Sequence, residues 1–151
     1  MLITREQKIE AAKNYLMVIR THQVRIRQLR LERTELRLEY SGVSGIDYAA
    51  DRIQSSPING LENAGWKLLE RLKVIDKRIN DLSDARYLRI DAIQKLPDPN
   101  ESMVLQLYFV HDMSQKRIGE YLNYSEKQVG RMYRNGLEQF FNTFLFKKDV
   151  L

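Results

Sequence analysis

The chain has 151 residues, a formal net charge of +5 and no cysteine. This length fits one ordinary domain or two very small ones, and the lack of cysteine excludes disulfides, cysteine-ligated zinc and thiol catalysis. Glycine and proline are few and charged residues make up 30%, which favours a soluble, mostly helical protein. The first residues lack a signal-peptide core and no apolar run reaches membrane-spanning length, so we expect a cytoplasmic protein without a membrane partner.

Residues 4–40 are predicted to form one long helix. Thr4 can cap its N-terminus, and Gln7 can complete a capping box. A coiled-coil-like stripe recurs at intervals of three or four residues, with polar interruptions: Ile9, Ala12, Leu16, Ile19, His22, Ile26, Leu29, Arg33, Leu36 and Tyr40. The arginines of this helix alternate with glutamates, so an ion-paired, solvated face is favoured over a surface that binds nucleic acid.

A second long helix is predicted at residues 61–95. Residues 41–60 contain three glycines and a proline and are predicted to be a loop, with a helical turn at 48–53 as an alternative. The second stripe comprises Leu61, Gly65, Leu68, Leu72, Ile75, Ile79 and Leu82, and then shifts to Tyr87, Ile90 and Ile93. Residues 1–96 should therefore form an antiparallel helical hairpin, in which Trp66 and Tyr87 pack against the core rather than stack on bases. A homodimer would also bury the stripes.

A small C-terminal domain is predicted at residues 102–151, after a proline-containing linker at 97–101. Ser102, Ser114 and Ser125 can each cap a short helix, and Gln128 would complete a capping box with Ser125. The apolar tail at 140–146, FFNTFLF, should cover the second long helix; contact with a second copy or with RNA polymerase is the alternative.

Residues 115–133 fit the steric pattern of a helix-turn-helix. Gly119 supplies the small residue where the two helices touch, and Asn123 supplies a corner residue that tolerates the left-handed conformation. The apolar positions of the pattern are also filled, by Ile118, Leu122, Tyr124, Val129 and Met132. A helix-turn-helix directs the start of its last helix into the major groove of DNA.

The segment VLQLYFVHDMSQKRIGEYLNYSEKQVGRMYRNGLEQF, residues 104–140, resembles region four of bacterial sigma factors. With the long helices and the loop sequence GIDYAADRIQSSPINGLEN, the whole chain is similar to ArpU-like regulators of late transcription in phages of Gram-positive bacteria. The resemblance implies an all-α fold, in which a long N-terminal helical hairpin precedes a small helix-turn-helix domain. It also implies promoter recognition by a helix at 125–141, with RNA polymerase as a candidate partner.

The resemblance places the base-reading positions at Glu126, Lys127, Gln128 and Arg131. Cationic side chains would pair with guanine, glutamine with adenine and glutamate with cytosine. The expected phosphate contacts are Ser114, Lys116, Ser125 and Arg134. Gly130 and Gly136 depart from the sigma pattern, and each costs about 1 kcal/mol of helix propensity. The domain is also less basic than that pattern, so a homodimer is expected to supply avidity.

Nothing in the sequence indicates an enzyme, a cofactor or a small-molecule substrate. His22 and His111 are too few and too far apart for a zinc site or a charge relay, and there is no glycine-rich phosphate loop. The expected function is sequence-specific binding of double-stranded DNA by a transcriptional regulator, with activation favoured. Two alternatives remain: a packaging protein like a small terminase subunit, and an adaptor that binds polymerase without DNA specificity.

Overall fold

The computed structural model describes the backbone of residues 2–50 and 56–146 and the side chains of residues 2–42 and 63–146. The helices are α1 (Arg5–Ala50), α2 (Ser56–Gln94), α3 (Pro99–Phe109), α4 (Gln115–Leu122) and α5 (Glu126–Phe140), followed by a π-helical segment, Phe141–Leu145. No strand occurs in these ranges, and none of the described helices is long and apolar enough to cross a membrane. The predicted fold class, long N-terminal helices followed by a small helix-turn-helix domain, is confirmed.

The start of α1 is fixed by the predicted capping box. The Gln7 N–H donates to Thr4 Oγ1 at 3.2 Å, and the Thr4 N–H donates to Gln7 Oε1 at 3.0 Å. These reciprocal bonds satisfy backbone donors that have no partner within the helix. The helix therefore begins where the sequence places it.

The loop predicted at 41–60 is mostly helical. Helix α1 continues to Ala50 and α2 begins at Ser56, so only residues 51–55 separate them, and these lie outside the described residues. A helix can include Gly42 and Gly45 at a cost of about 1 kcal/mol each. Pro57 falls in the first turn of α2, where its missing N–H breaks no helical hydrogen bond. The glycines and proline were therefore weaker helix breakers than the prediction assumed.

The chain divides into two compact units, residues 1–23 with 84–151 and residues 24–83. The predicted linker at 97–101 lies inside the first unit, so it does not coincide with the division between them. In the second unit α1 and α2 run antiparallel, and Arg33 Nη1 lies 3.2 Å from Asp76 Oδ1. Its buried core follows the predicted stripes and comprises Ile26, Leu29, Leu36, Leu68, Leu72, Ile75 and Ile79.

The core of the first unit draws on both ends of the chain. Buried residues from the start of α1 and the end of α2 join those of α3, α4, α5 and the π-helical segment in one cluster. The apolar tail belongs to this cluster: Phe140 and Phe141 are buried, and the Phe140 ring lies 5.8 Å from that of Tyr15 in α1. The tail thus packs within the core that α1 and α2 share, rather than over α2 alone.

Tyr87 and Trp66 do not pack in the core as predicted: their exposed fractions are 57% and 60%. Near Tyr87, arginines occupy the inner face of α2. Arg86 Nε donates to the Ile19 carbonyl at 3.3 Å, and Arg89 Nε donates to the Tyr15 carbonyl at 2.9 Å. The three- and four-residue spacing of the stripe therefore continues through Arg86 and Arg89. Their aliphatic parts pack against α1, and their guanidinium groups donate to its carbonyls. The predicted shift to Tyr87 was wrong.

Helix α3 is capped by Asp98 rather than by Ser102. Asp98 Oδ1 accepts hydrogen bonds from the Asn100 N–H at 2.8 Å and the Glu101 N–H at 3.3 Å. Pro99 then occupies the first turn, which suits its fixed backbone angle. Ser102 is buried one turn later and donates its hydroxyl to the Ile93 carbonyl at 2.8 Å. It therefore joins α3 to the end of α2.

Candidate nucleic-acid interface

The corner between α4 and α5 occupies residues 123–125. Asn123 ends α4 in the left-handed conformation, with φ 62° and ψ 43°, which asparagine tolerates better than most residues. The Tyr124 N–H donates back to the Gly119 carbonyl at 2.9 Å, and α5 begins at Glu126. The tight corner predicted from the sequence is therefore present.

Gly119 allows this close approach because it has no side chain. A Cβ atom at this position would lie 2.6 Å from the Tyr124 carbonyl oxygen, a distance that only a backbone shift could relieve. Ile118 and Val129 are fully buried beside it and join the two helices to the core. The small residue and the left-handed corner thus act together to set the direction of α5.

The inner face of α5 anchors the helix to the rest of its unit. Val129, Tyr133, Leu137 and Phe140 are buried at helical spacing, and the Tyr133 ring lies 4.7 Å from that of Tyr108 in α3. Burial, followed by the neighbouring Tyr108, raises the pKa of Tyr133, so its phenol stays protonated. With this face committed to the core, the opposite face is left for a ligand.

Three of the residues predicted to contact DNA form the N-terminal caps of α4 and α5. Ser114 Oγ accepts from the Arg117 N–H at 3.2 Å, and Ser125 Oγ accepts from the Gln128 N–H at 3.1 Å. Gln128 Oε1 in turn accepts from the Ser125 N–H at 3.0 Å. Two-point contact of Gln128 with adenine would need this oxygen, and so would open the cap. Adenine reading by Gln128 stays a prediction.

The first two turns of α5 carry exposed charged side chains. Glu126, Lys127 and Arg131 are exposed there, and Lys127 and Arg131 lie on one face because they are four residues apart. Within the described residues neither cation makes an ion pair or a side-chain hydrogen bond, so both remain available to an anionic ligand. Base reading by these three side chains stays a prediction, and their exposure is what it requires.

Arg134, predicted to contact phosphate, is instead half-buried against the start of α1. Its guanidinium forms an ion pair with Glu6. Next to this pair, Arg5 Nε lies 2.6 Å from Glu138 Oε2, and Arg5 Nη2 donates to Asn135 Oδ1 at 2.7 Å. The first turn of α1 therefore contacts the later turns of α5 through two ion pairs, and Arg134 is held by one of them.

Two further residues were missed by the sequence reasoning. Arg117 is exposed beside Lys116 in the first turn of α4, where a pair of cations suits phosphate contact. Arg20 was assigned to a solvated series, yet its Nε donates to the Tyr108 carbonyl at 3.2 Å and lies 2.8 Å from Asp112 Oδ1. Arg20 thereby holds the segment that leads from α3 into α4. The adjacent basic pair was a visible signal for Arg117, whereas nothing local marked Arg20.

Comparison with known families bears on this same region. Residues 92–140, from the end of α2 through α5, match the model of the family described as Sigma-70, region 4. No curated protein and no solved structure matches the chain. The match and the corner geometry agree on the same helices, and together they support a DNA-binding regulator. Residues 92–140 thus form a helix-turn-helix domain similar to region 4 of sigma-70 factors.

Proposed function

We propose that this protein is a sequence-specific regulator that binds double-stranded DNA and activates transcription from phage or prophage promoters. One observation carries the proposal: a sigma region 4-like helix-turn-helix leaves Lys127 and Arg131 exposed and unpaired within the described structure. Exposed cations on the first turns of such a helix are suited to the major groove. The phage role rests on the resemblance of the whole chain to ArpU-like regulators.

In this proposal the first two turns of α5 read base edges. Lys127 and Arg131 donate to guanine O6 and N7, and Glu126 accepts from the amino group of cytosine. Lys116 and Arg117 in α4 contact phosphates, together with the Ser114 hydroxyl, and so fix the position of α5 on the duplex. Sequence preference would come from α5, and much of the affinity from α4.

RNA polymerase and a second copy of the chain are the proposed protein partners. The polymerase contact is inferred from the similarity to sigma region 4, whose role in transcription involves that enzyme. The homodimer is inferred from charge: residues 101–151 hold only 7 Lys and Arg against 6 Asp and Glu, so two linked domains would bind more tightly than one.

The test begins with DNA recovered with the protein from a host cell that carries the phage. A gel-shift titration then compares the recovered promoter segment with a shuffled sequence of the same composition at several salt concentrations. We expect tighter binding to the recovered segment, and binding that weakens as salt rises. Equal, weak and salt-insensitive binding to both would contradict the proposal and favour a polymerase adaptor, whereas a large ring in solution would favour DNA packaging.

A further inference from the structure

Three aliphatic side chains of α1 in the second unit are left open to solvent. Val24, Leu31 and Leu38 are 55%, 68% and 69% exposed. They are seven residues apart, nearly two helical turns, and so form one stripe along the helix. Ile26, Leu29 and Leu36, which pack toward α2, lie on the opposite side of α1. We call Val24, Leu31 and Leu38 the outer stripe.

Complementary charges border the outer stripe on its two sides. If the stripe occupies position a of a heptad, Arg30 and Arg37 occupy position g on one side, and Glu35 occupies position e on the other. All three are exposed, and none of them forms an ion pair within the described residues. Positions g and e flank the seam of a coiled coil. The charges at these positions determine which helices pair and whether they pair parallel or antiparallel.

We propose that the outer stripe is the surface on which a second copy of this chain docks, with the two α1 helices parallel. In that arrangement Arg30 of each copy faces Glu35 of the other, since g of one heptad meets e of the next in a parallel pair. An antiparallel pair would bring g against g, so Arg30 would face Arg37. One surface supplies both charges, and this self-complementarity is what a two-fold symmetric dimer requires.

The inference names the surface behind the proposed homodimer and rests on that part of the proposed function. The d positions beside the stripe carry Arg27 and Thr34. Thr34 is polar, and Arg27 is a cation that would lie opposite its own copy in a parallel pair, which weakens the contact. The seam is therefore half apolar, and the dimer is expected to be reversible rather than obligate. Reversibility makes its dissociation constant measurable by sedimentation of the full chain without DNA.

The experiment exploits the charge pairing. Arg30→Glu places two glutamates against each other in a homodimer, and Glu35→Arg places two arginines against each other. Each variant alone should dimerise about tenfold more weakly than the natural chain. An equal mixture of the two variants should recover dimers, because both cross-pairs are then opposite in charge. Glu39→Arg is the matched control, since this exposed residue lies away from the seam.

Leu31→Lys provides a second test, of the apolar contact, and should also weaken the dimer; circular dichroism checks that each variant keeps its helix content. A natural chain that stays monomeric over the whole concentration range would overturn the inference. So would a dimer that Arg30→Glu and Glu35→Arg leave unchanged, because another surface must then hold it. A dimer that responds as expected but binds no promoter DNA would support this surface and contradict the proposed DNA-binding function.

Discussion

Glu6, in the first turn of α1, forms an ion pair with Arg134 of α5. The pair joins residues 128 positions apart in sequence. It neutralises one of the three cations of α5, which are Lys127, Arg131 and Arg134. DNA phosphate and the Glu6 carboxylate would compete for the same guanidinium. In the proposed complex with DNA, the start of α1 would thus weaken the binding of the helix-turn-helix.

Glu6→Gln is therefore expected to strengthen DNA binding. With Arg134 released to a phosphate, the affinity should rise about three- to tenfold, and the slope of log K against log salt should steepen by about 0.9. Fluorescence anisotropy at several salt concentrations measures both quantities. Glu10→Gln makes the same change in net charge at an exposed position of α1 without this ion pair. If both variants behave alike, the effect is one of overall charge, and the competition is refuted.

Arg131→Ala should weaken binding to the specific site by roughly 1–3 kcal/mol. The expected cause is the loss of a paired contact with guanine, so the variant should also discriminate less against a changed base at one position. Competition gel shifts with single-base variants of the site measure this. Arg71→Ala, which removes an exposed arginine from the second unit, is the control. An unchanged affinity for Arg131→Ala would mean that α5 does not read DNA as proposed.

Lys116→Ala and Arg117→Ala should weaken binding to specific and shuffled DNA by the same factor. Phosphate contacts carry no sequence information, and the loss of one should flatten the salt slope by about 0.9. The same titrations on two DNA sequences give the answer. A loss confined to the specific site would place these residues at base edges instead.

Gly119→Ala should destabilise the first unit by about 1–3 kcal/mol or more, because the added methyl group meets a backbone oxygen that cannot move away cheaply. Urea unfolding followed by circular dichroism measures the loss. Gly42→Ala is the matched control in α1: nothing lies within 4 Å of its added Cβ, so it should stabilise by roughly 0.5–1 kcal/mol. Equal effects at the two positions would show that the corner has room for a side chain.

Asn123→Ala should cost about 1 kcal/mol, whereas Asn123→Gly should leave the stability nearly unchanged or raise it slightly. The reason is the left-handed backbone at this residue, which glycine adopts freely and alanine does not. The same unfolding experiment compares the two variants. If alanine is as stable as glycine, the corner residue does not hold this conformation in solution.

The features that could be predicted from sequence are those set by local chemistry. The Thr4 capping box, the buried positions from Ile9 to Leu36 and the corner at Gly119 and Asn123 each depend on spacing within one or two elements. The predicted cap of α3 was wrong because Asp98 and Ser102 are both good capping residues. In the structure Ser102 is buried and donates to the Ile93 carbonyl, so Asp98 caps the helix.

Long-range pairing could not be predicted from the same patterns. Arg86 and Arg89 occupy inward positions because carbonyls of α1 accept from them, and a periodicity of apolar residues does not reveal such acceptors. Likewise, Arg134 has the position of a phosphate contact in its own helix, and only the packing of α1 brings Glu6 to it. Arg86, Arg89 and Arg134 each have a partner that comes from a distant part of the chain.

The composition of the first unit also constrains how the protein can be made and dissected. Ile9, Ala12, Leu16 and Ile19 share a buried cluster with residues that begin at Ile93 and extend to Leu145. During translation, residues 9–19 leave the ribosome long before residues 93–145 do. The buried side chains of α1 therefore stay exposed until the C-terminal helices are complete, as in other cores built from distant segments. A fragment beginning at Ser102 would lack the part of its hydrophobic core that α1 and α2 supply. Its phenylalanines would then be exposed to solvent, and we expect such a fragment to aggregate.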